Sequence, residues 1–118
     1  MALTLASCAP TYVWGDAQRV EKRLVEMVPL GSPPALLITT AKQRGWRIDR
    51  RNTYRSPTGS KTYMHDTHLD CRSKGGLVVP VLIEQYHAPF ATAVESMWLF
   101  DQQHQLREVC VRKTVDAL

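Results

Sequence analysis

Three cysteines are the residues with the clearest chemical potential in this chain of 118 residues. Cys8 lies near the start, whereas Cys71 and Cys110 lie in segments that have the composition of β-strands. In an exported protein, two cysteines that remain after another is used elsewhere usually pair as a disulfide. A Cys71–Cys110 disulfide would close a loop of about 40 residues and stabilise the fold by roughly 2–4 kcal/mol. The alternative is two buried free thiols in a cytosolic protein.

Cys8 follows residues that resemble a bacterial lipobox. The tetrad is Leu5-Ala6-Ser7-Cys8, in which small side chains let a peptidase reach the bond before the cysteine. The preceding residues lack the charged start and the apolar run of roughly 7–15 residues that a complete signal peptide has. We therefore predict a truncated signal and a tether in residues 1–14, with Cys8 as the lipid anchor. The alternative is an ordinary N-terminal segment with one stray thiol.

An arginine-rich stretch is the second candidate site. Arg47, Arg51 and Arg55 share this stretch with one acid, Asp49. If residues 46–54 form a strand, these four side chains lie on one face, because alternate residues of a strand point the same way. Guanidinium groups bind carboxylates and phosphates through paired hydrogen bonds. We therefore predict an anion-binding or partner-binding face at the three arginines; the alternative is a solvated sheet face.

The remaining polar residues predict neither a metal site nor a catalytic centre. Segment 65–71 contains histidine, aspartate and cysteine, but on a single strand His65 and His68 point to opposite faces. The paired ligands that are typical of zinc sites are also missing. The sequence contains no Gly-x-Ser-x-Gly elbow and no phosphate loop. We therefore expect a protein that is not an enzyme and that uses no cofactor.

Composition and charge restrict the possible partners. Hydrophobic residues make up 44% and charged residues 22% of the chain, as in ordinary globular domains. The net charge of +4 permits contact with nucleic acid, anionic lipid or an acidic protein. Because no aromatic RNA-binding signature is present, nucleic acid is the least favoured of these partners.

The elements that would position these residues are two helices followed by strands. Asp16 is a suitable N-cap, and apolar residues then recur at helical spacing. Ser32 before a proline predicts the start of a second helix, and Gly45 predicts its end. Turn residues separate five segments that we predict as strands: 46–54, 61–71, 77–86, 92–100 and 106–113.

The predicted fold class is α+β. Residues 15–118 would form a single domain, with the two N-terminal helices packed on one face of an antiparallel sheet of four to five strands. Val94, Trp98 and Phe100 would share one face of their strand. In the last strand Val109 would face the core, which places Cys110 on the opposite face.

Three short motifs carry a resemblance to a known family. They are Leu-Gly-Ser-Pro at residues 30–33, a helix that ends at Gly45-Trp46, and Trp-Leu-Phe-Asp at residues 98–101 with Leu106 after it. They resemble small bacterial envelope lipoproteins of the SmpA/OmlA (BamE-like) type, whose fold is shared with the β-lactamase inhibitor protein. In the present sequence His104 stands where that family usually carries glycine. The resemblance covers residues 30–113.

The resemblance implies a non-catalytic cell-envelope lipoprotein that acts as a protein-binding or scaffold module. It would be anchored to the outer membrane through Cys8 and would face the periplasm. Its partner would be an envelope protein or an anionic lipid surface, and its oligomeric state is open. The alternative is a soluble basic module that binds nucleic acid or inhibits another protein.

Overall fold

The structure is a computed structural model that describes residues 11–64, 67–86 and 91–116. Cys8 therefore lies outside the described residues. The described helices are α1 (Ala17–Met27) and α2 (Pro34–Arg44). The described strands are β1 (Arg47–Ile48), β2 (Tyr54–Arg55), β3 (Lys61–Met64), β4 (Thr67–Arg72), β5 (Gly75–Tyr86), β6 (Ala91–Asp101) and β7 (Leu106–Asp116). The predicted α+β class is confirmed.

Local hydrogen bonds explain where α1 begins. The carboxylate of Asp16 accepts a hydrogen bond from the backbone N–H of Arg19 at 2.9 Å, which satisfies one of the free donors of the first turn. Val20 and Leu24 lie one turn apart and are fully buried. The predicted N-cap and apolar stripe of this helix are both confirmed.

The start of α2 differs from the prediction. Pro33 is the N-cap residue and makes no side-chain capping bond. The hydroxyl of Ser32 instead donates to the carbonyl oxygen of Pro29 at 2.6 Å, so it stabilises the turn between the helices. Gly45 ends α2 with φ of 76°, a left-handed conformation that glycine adopts at little cost.

The main sheet is antiparallel and is built around β5. Strands β5, β6 and β7 pair in that order, while β1 and β2 both pair with the other side of β5. The predicted continuous strand at 46–54 is wrong, because a 3-10 turn at Arg50–Asn52 separates β1 from β2. The carboxylate of Asp49 caps this turn by accepting from Asn52 N at 3.3 Å.

Pro80 lies in β5 opposite this interruption. Its carbonyl accepts a hydrogen bond from Asp49 N at 2.9 Å. The N and the C=O of a strand residue point to the same side, so the nitrogen of Pro80 faces the turn rather than a continuous neighbouring strand. The missing N–H of Pro80 therefore costs little at this position.

Segment 61–71, predicted as one strand, forms the antiparallel strands β3 and β4. This pair packs on the face of the main sheet that carries no helix, because Cys71 joins a buried cluster with Val78, Met97, Leu99 and Cys110. The sheet thus lies between the helices and this β3–β4 pair.

The larger core lies between the sheet and both helices. Val94, Trp98 and Phe100 lie in this core and are fully buried, as predicted. The buried hydroxyl of Ser96 accepts from Trp98 Nε1 at 2.8 Å and donates to the carbonyl of Val81 at 2.9 Å. These bonds satisfy both the indole N–H of Trp98 and the hydroxyl of Ser96 within the core.

The free edge of β7 is partly covered by α1. The carboxylate of Glu21 accepts a hydrogen bond from the backbone N–H of Val111 at 3.0 Å. Burial, with a smaller contribution from Glu108, raises the pKa of Glu21 above its usual value, although the bond from Val111 opposes this shift. The helix thereby occupies a donor that an edge strand would otherwise expose.

Residues 11–14 pack on the domain, so the predicted tether to residue 14 is too long. Val13 is fully buried in the main core. The hydroxyl of Tyr12 accepts from Trp46 Nε1 at 3.0 Å, and Lys113 Nζ donates to the carbonyl of Val13 at 2.9 Å. Trp14, by contrast, is 52% exposed.

Candidate functional site

The candidate site is a groove on the helix-free face, beside the point where β1 and β2 separate along β5. Its volume is about 830 Å³. The side chains that give it its character are two arginines, two tyrosines and two apolar residues of β5: Arg47, Arg51, Tyr54, Tyr63, Pro80 and Leu82. We call it the arginine groove.

The arginine groove contains two of the three predicted arginines. Arg47 pairs with Leu82 across β1 and β5, which places it on the helix-free face, and Arg51 reaches the groove from the 3-10 turn. Arg55 pairs with Leu77, a residue that packs into the helix-side core. The predicted common face of three arginines is therefore wrong, because the turn breaks the alternation of side chains.

Two carboxylates line the groove, and both are engaged. Glu95 accepts from Arg112 at 3.0 Å, and this ion pair is largely shielded from solvent. Asp49 accepts from the side-chain amide of Asn52 at 2.8 Å as well as from its backbone. Neither carboxylate is paired with Arg47 or Arg51 in the described part of the chain.

Arg47 and Arg51 are both exposed and form no ion pair with any residue in the described ranges. A guanidinium group is a donor in all of its hydrogen bonds and remains charged at every physiological pH. The groove can therefore bind a carboxylate or a phosphate without first breaking an internal salt bridge.

The tyrosines form two different parts of the groove. Tyr63, from β3, lines the groove and is 51% exposed. Tyr54 is half-buried, and its ring packs against the cluster that contains Met97 and Leu99. The hydroxyl of Tyr54 is buried and lacks a hydrogen-bond partner within the described residues.

Cys71 and Cys110 form the predicted pair: their sulfurs lie at bonding distance and their Cα atoms are 6.4 Å apart. Cys110 does point away from the helix-side core, as its position next to Val109 indicated. The β3–β4 pair lies on that same face, so Cys71 meets Cys110 there. The bond ties the strand pair that carries Tyr63 to the edge of the main sheet.

The two bonded cysteines and Glu108 form a group of possible metal ligands. Ligand atoms of Cys71, Glu108 and Cys110 lie within 4.8 Å of one another, a grouping that the sequence did not reveal. A cysteine ligates metal as a thiolate, which a bonded sulfur cannot become. Glu108 is occupied by Lys74 Nζ at 2.9 Å. Of the histidine-containing segment considered above, residues 65–66 lie outside the described ranges.

A second, apolar cleft of about 200 Å³ lies on the helix side, between α2 and β5. Ile38 of α2 lines this cleft and is 37% exposed. The sequence signal for this surface is that apolar residues of α2 extend beyond the stripe that packs on the core.

Within the described residues, neither helix is long and apolar enough to span a bilayer. No family model, no curated protein and no solved structure matches this chain.

Proposed function

We propose that this protein is a non-catalytic binding module of the cell envelope that contacts an envelope protein through the arginine groove. The observation that carries this proposal is the groove itself, in which Arg47 and Arg51 are exposed and unpaired within the described residues beside an exposed tyrosine. Arginine and tyrosine are both enriched at the energetically important centres of protein interfaces. An anionic lipid surface is the alternative partner in the same compartment.

The cysteines support the proposed location in the bacterial periplasm. Disulfides persist in oxidising environments such as the bacterial periplasm and are rare in the cytosol. The bonded arrangement of Cys71 and Cys110 favours an exported protein. The lipobox-like residues before Cys8 favour attachment to the outer membrane through an acyl chain, with the folded domain facing the periplasm.

The arrangement of polar groups favours binding over catalysis. Nucleophilic catalysis needs a nucleophile within hydrogen-bond reach of a base. The groove instead offers permanently charged donors, which hold an anion but exchange no proton near neutral pH.

The test uses the full-length gene product in a Gram-negative bacterium. Metabolic labelling with an alkyne fatty acid, followed by membrane fractionation, is compared between the wild type and Cys8→Ala. We expect a labelled wild-type protein in the membrane fraction and an unlabelled variant. A soluble, unlabelled wild-type protein with two free thiols at Cys71 and Cys110 would contradict the proposal and favour the alternative of a soluble basic module in the cytosol.

Partner binding is tested by placing a photo-crosslinking amino acid at position 63 or, as a control, at exposed position 18 on α1. We expect a crosslinked protein from position 63 that is absent from position 18 and is lost when Arg47→Gln and Arg51→Gln are combined. Equal crosslinking from both positions would mean that the groove is not the binding surface.

A further inference from the structure

The free hydrogen-bonding capacity of the arginine groove indicates the chemistry of its ligand. The carboxylates of Asp49 and Glu95 are engaged by Asn52 and Arg112. Arg47 and Arg51 remain, and guanidinium groups only donate. The ligand must therefore present anionic acceptors, one for each arginine.

The remaining lining shows that a small inorganic anion would not fill the site. Pro80 and Leu82 add apolar surface, and Tyr63 adds an exposed ring. The volume of about 830 Å³ lies in the upper part of the roughly 300–1,000 Å³ range of sites that bury a whole ligand. The ligand thus combines anionic groups with an aliphatic or aromatic part.

The distribution of charge in the groove favours a peptide over an anionic membrane or a nucleic acid as the ligand. Recognition of anionic lipid typically uses clusters of about 4–8 basic residues, whereas the groove offers two unpaired arginines. The carboxylates of Asp49 and Glu95 line the same groove, which disfavours a ligand with negative charge along its whole length, such as a nucleic acid. A peptide can place its carboxylates at the arginines and a neutral side chain elsewhere.

We propose that the arginine groove binds an extended peptide segment in which two acidic side chains lie two positions before and two positions after an aromatic or aliphatic one, because alternate side chains of an extended chain point to the same side. This inference rests on the proposed function, because it assumes that the partner is a protein. Arg47 and Arg51 each hold one carboxylate, and the neutral side chain packs on Tyr63 and Leu82.

The test is fluorescence anisotropy with a fluorescein-labelled peptide, Gly-Ser-Glu-Ser-Phe-Ser-Glu-Ser-Gly, and its counterpart with both Glu replaced by Gln. Replacement of both Glu by Gln removes the charge from both proposed ion pairs with the arginines, and a tenfold change in affinity corresponds to about 1.4 kcal/mol. We therefore expect the Gln peptide to bind at least about tenfold more weakly. The combined variant Arg47→Gln/Arg51→Gln is expected to lose at least about as much affinity for the Glu peptide.

Two control variants test whether a loss of binding is specific to the arginines of the groove. Lys22→Gln/Lys42→Gln changes the net charge equally at exposed positions of α1 and α2, on the other face of the sheet. Arg55→Gln removes the arginine that the structure places outside the groove. Both are expected to bind the Glu peptide as the wild type does, and circular dichroism checks that each variant is folded.

Several outcomes would overturn the proposal. They are equal binding of the Glu and Gln peptides, unchanged binding by Arg47→Gln/Arg51→Gln, and equal loss in the lysine control. Single-stranded oligonucleotide and anionic vesicles are used as competitors, each at a concentration of negative charges lower than that of the peptide. Displacement of the peptide by either competitor would assign the groove to phosphate ligands instead. If a protein crosslinks from position 63 in cells but the peptide does not bind, the inference fails while the proposed function stands.

Discussion

Removal of the Cys71–Cys110 bond is expected to lower stability more than any other change outside the main core. The bonded residues are 39 positions apart in sequence. A bond across a loop of this length removes conformational entropy from the unfolded chain that is worth roughly 3.9 kcal/mol at 25 °C. Small domains have total stabilities of about 5–15 kcal/mol, so the loss would be a large fraction of the total.

The perturbation is the double variant Cys71→Ala/Cys110→Ala, compared with the wild type by urea unfolding monitored through tryptophan fluorescence. We expect the free energy of unfolding to fall by about 2–4 kcal/mol. A dithiol reductant should lower the wild type by a similar amount and leave the double variant unchanged. Cys8→Ala is the control for cysteine replacement and should retain the response of the wild type to reductant.

Two results together would contradict the expected role of the bond. They are an unfolding transition of the wild type, purified without reductant, that does not respond to a dithiol, and an intact mass that shows no bond between Cys71 and Cys110. A response that is equally large in the double variant would also refute it, because the reductant would then be acting elsewhere. Because the bond holds the strand pair that carries Tyr63, its removal should also weaken binding of the acidic peptide.

Three further substitutions test individual contacts. Tyr54→Phe removes a buried hydroxyl without a partner in the described residues, so urea unfolding should show a gain of about 1 kcal/mol; a loss would mean that the hydroxyl is bonded. Ser96→Ala leaves the buried indole N–H of Trp98 without its acceptor, and the same assay should show a loss of about 1–3 kcal/mol; an unchanged midpoint would contradict this. Since burial raises the pKa of Glu21 above 4.5, its ionised form is disfavoured in the folded state. Relative to Glu21→Gln, the wild type should therefore lose stability as the pH rises from about 4.5 through the raised pKa; unfolding free energies that stay parallel with pH would contradict it.

Local signals predicted the parts of the fold that local interactions determine. Asp16 and Gly45 mark helix ends because a side-chain cap and a left-handed residue act within one turn of the chain. The alternation of Val94, Trp98 and Phe100 was read correctly because one face of β6 packs entirely on the helix-side core. His104 adopts φ of 62°, a left-handed turn conformation in which histidine is more frequent than most residues other than glycine.

The candidate site was predicted only in part because it depends on interruptions of regular structure. Residues 46–54 have strand-like composition, but the side-chain bonds of Asp49 to Asn52 stabilise a turn that competes with the strand. That turn brings Arg51 to the groove and leaves Arg55 on the other face. Segment 61–71 contains no glycine or proline, so it lacks the strongest turn signals at the division into β3 and β4.

The position of Cys110 shows what tertiary context adds. Sequence alternation places its sulfur on the face opposite the helices. The β3–β4 pair covers that face and forms a second, smaller core there. Alternation within one strand reports the direction of a side chain but not which distant segment packs on that side.

We propose that the arginine groove is the binding surface of this protein. The most direct measurement is a titration of the ¹⁵N-labelled protein with the Glu peptide, followed by amide chemical shifts. We expect the largest changes in residues 47–54, in β3 and at Val81–Leu82, with α1 and α2 unaffected. Changes centred on α2, or changes in the groove that persist at full size in Arg47→Gln/Arg51→Gln, would contradict it.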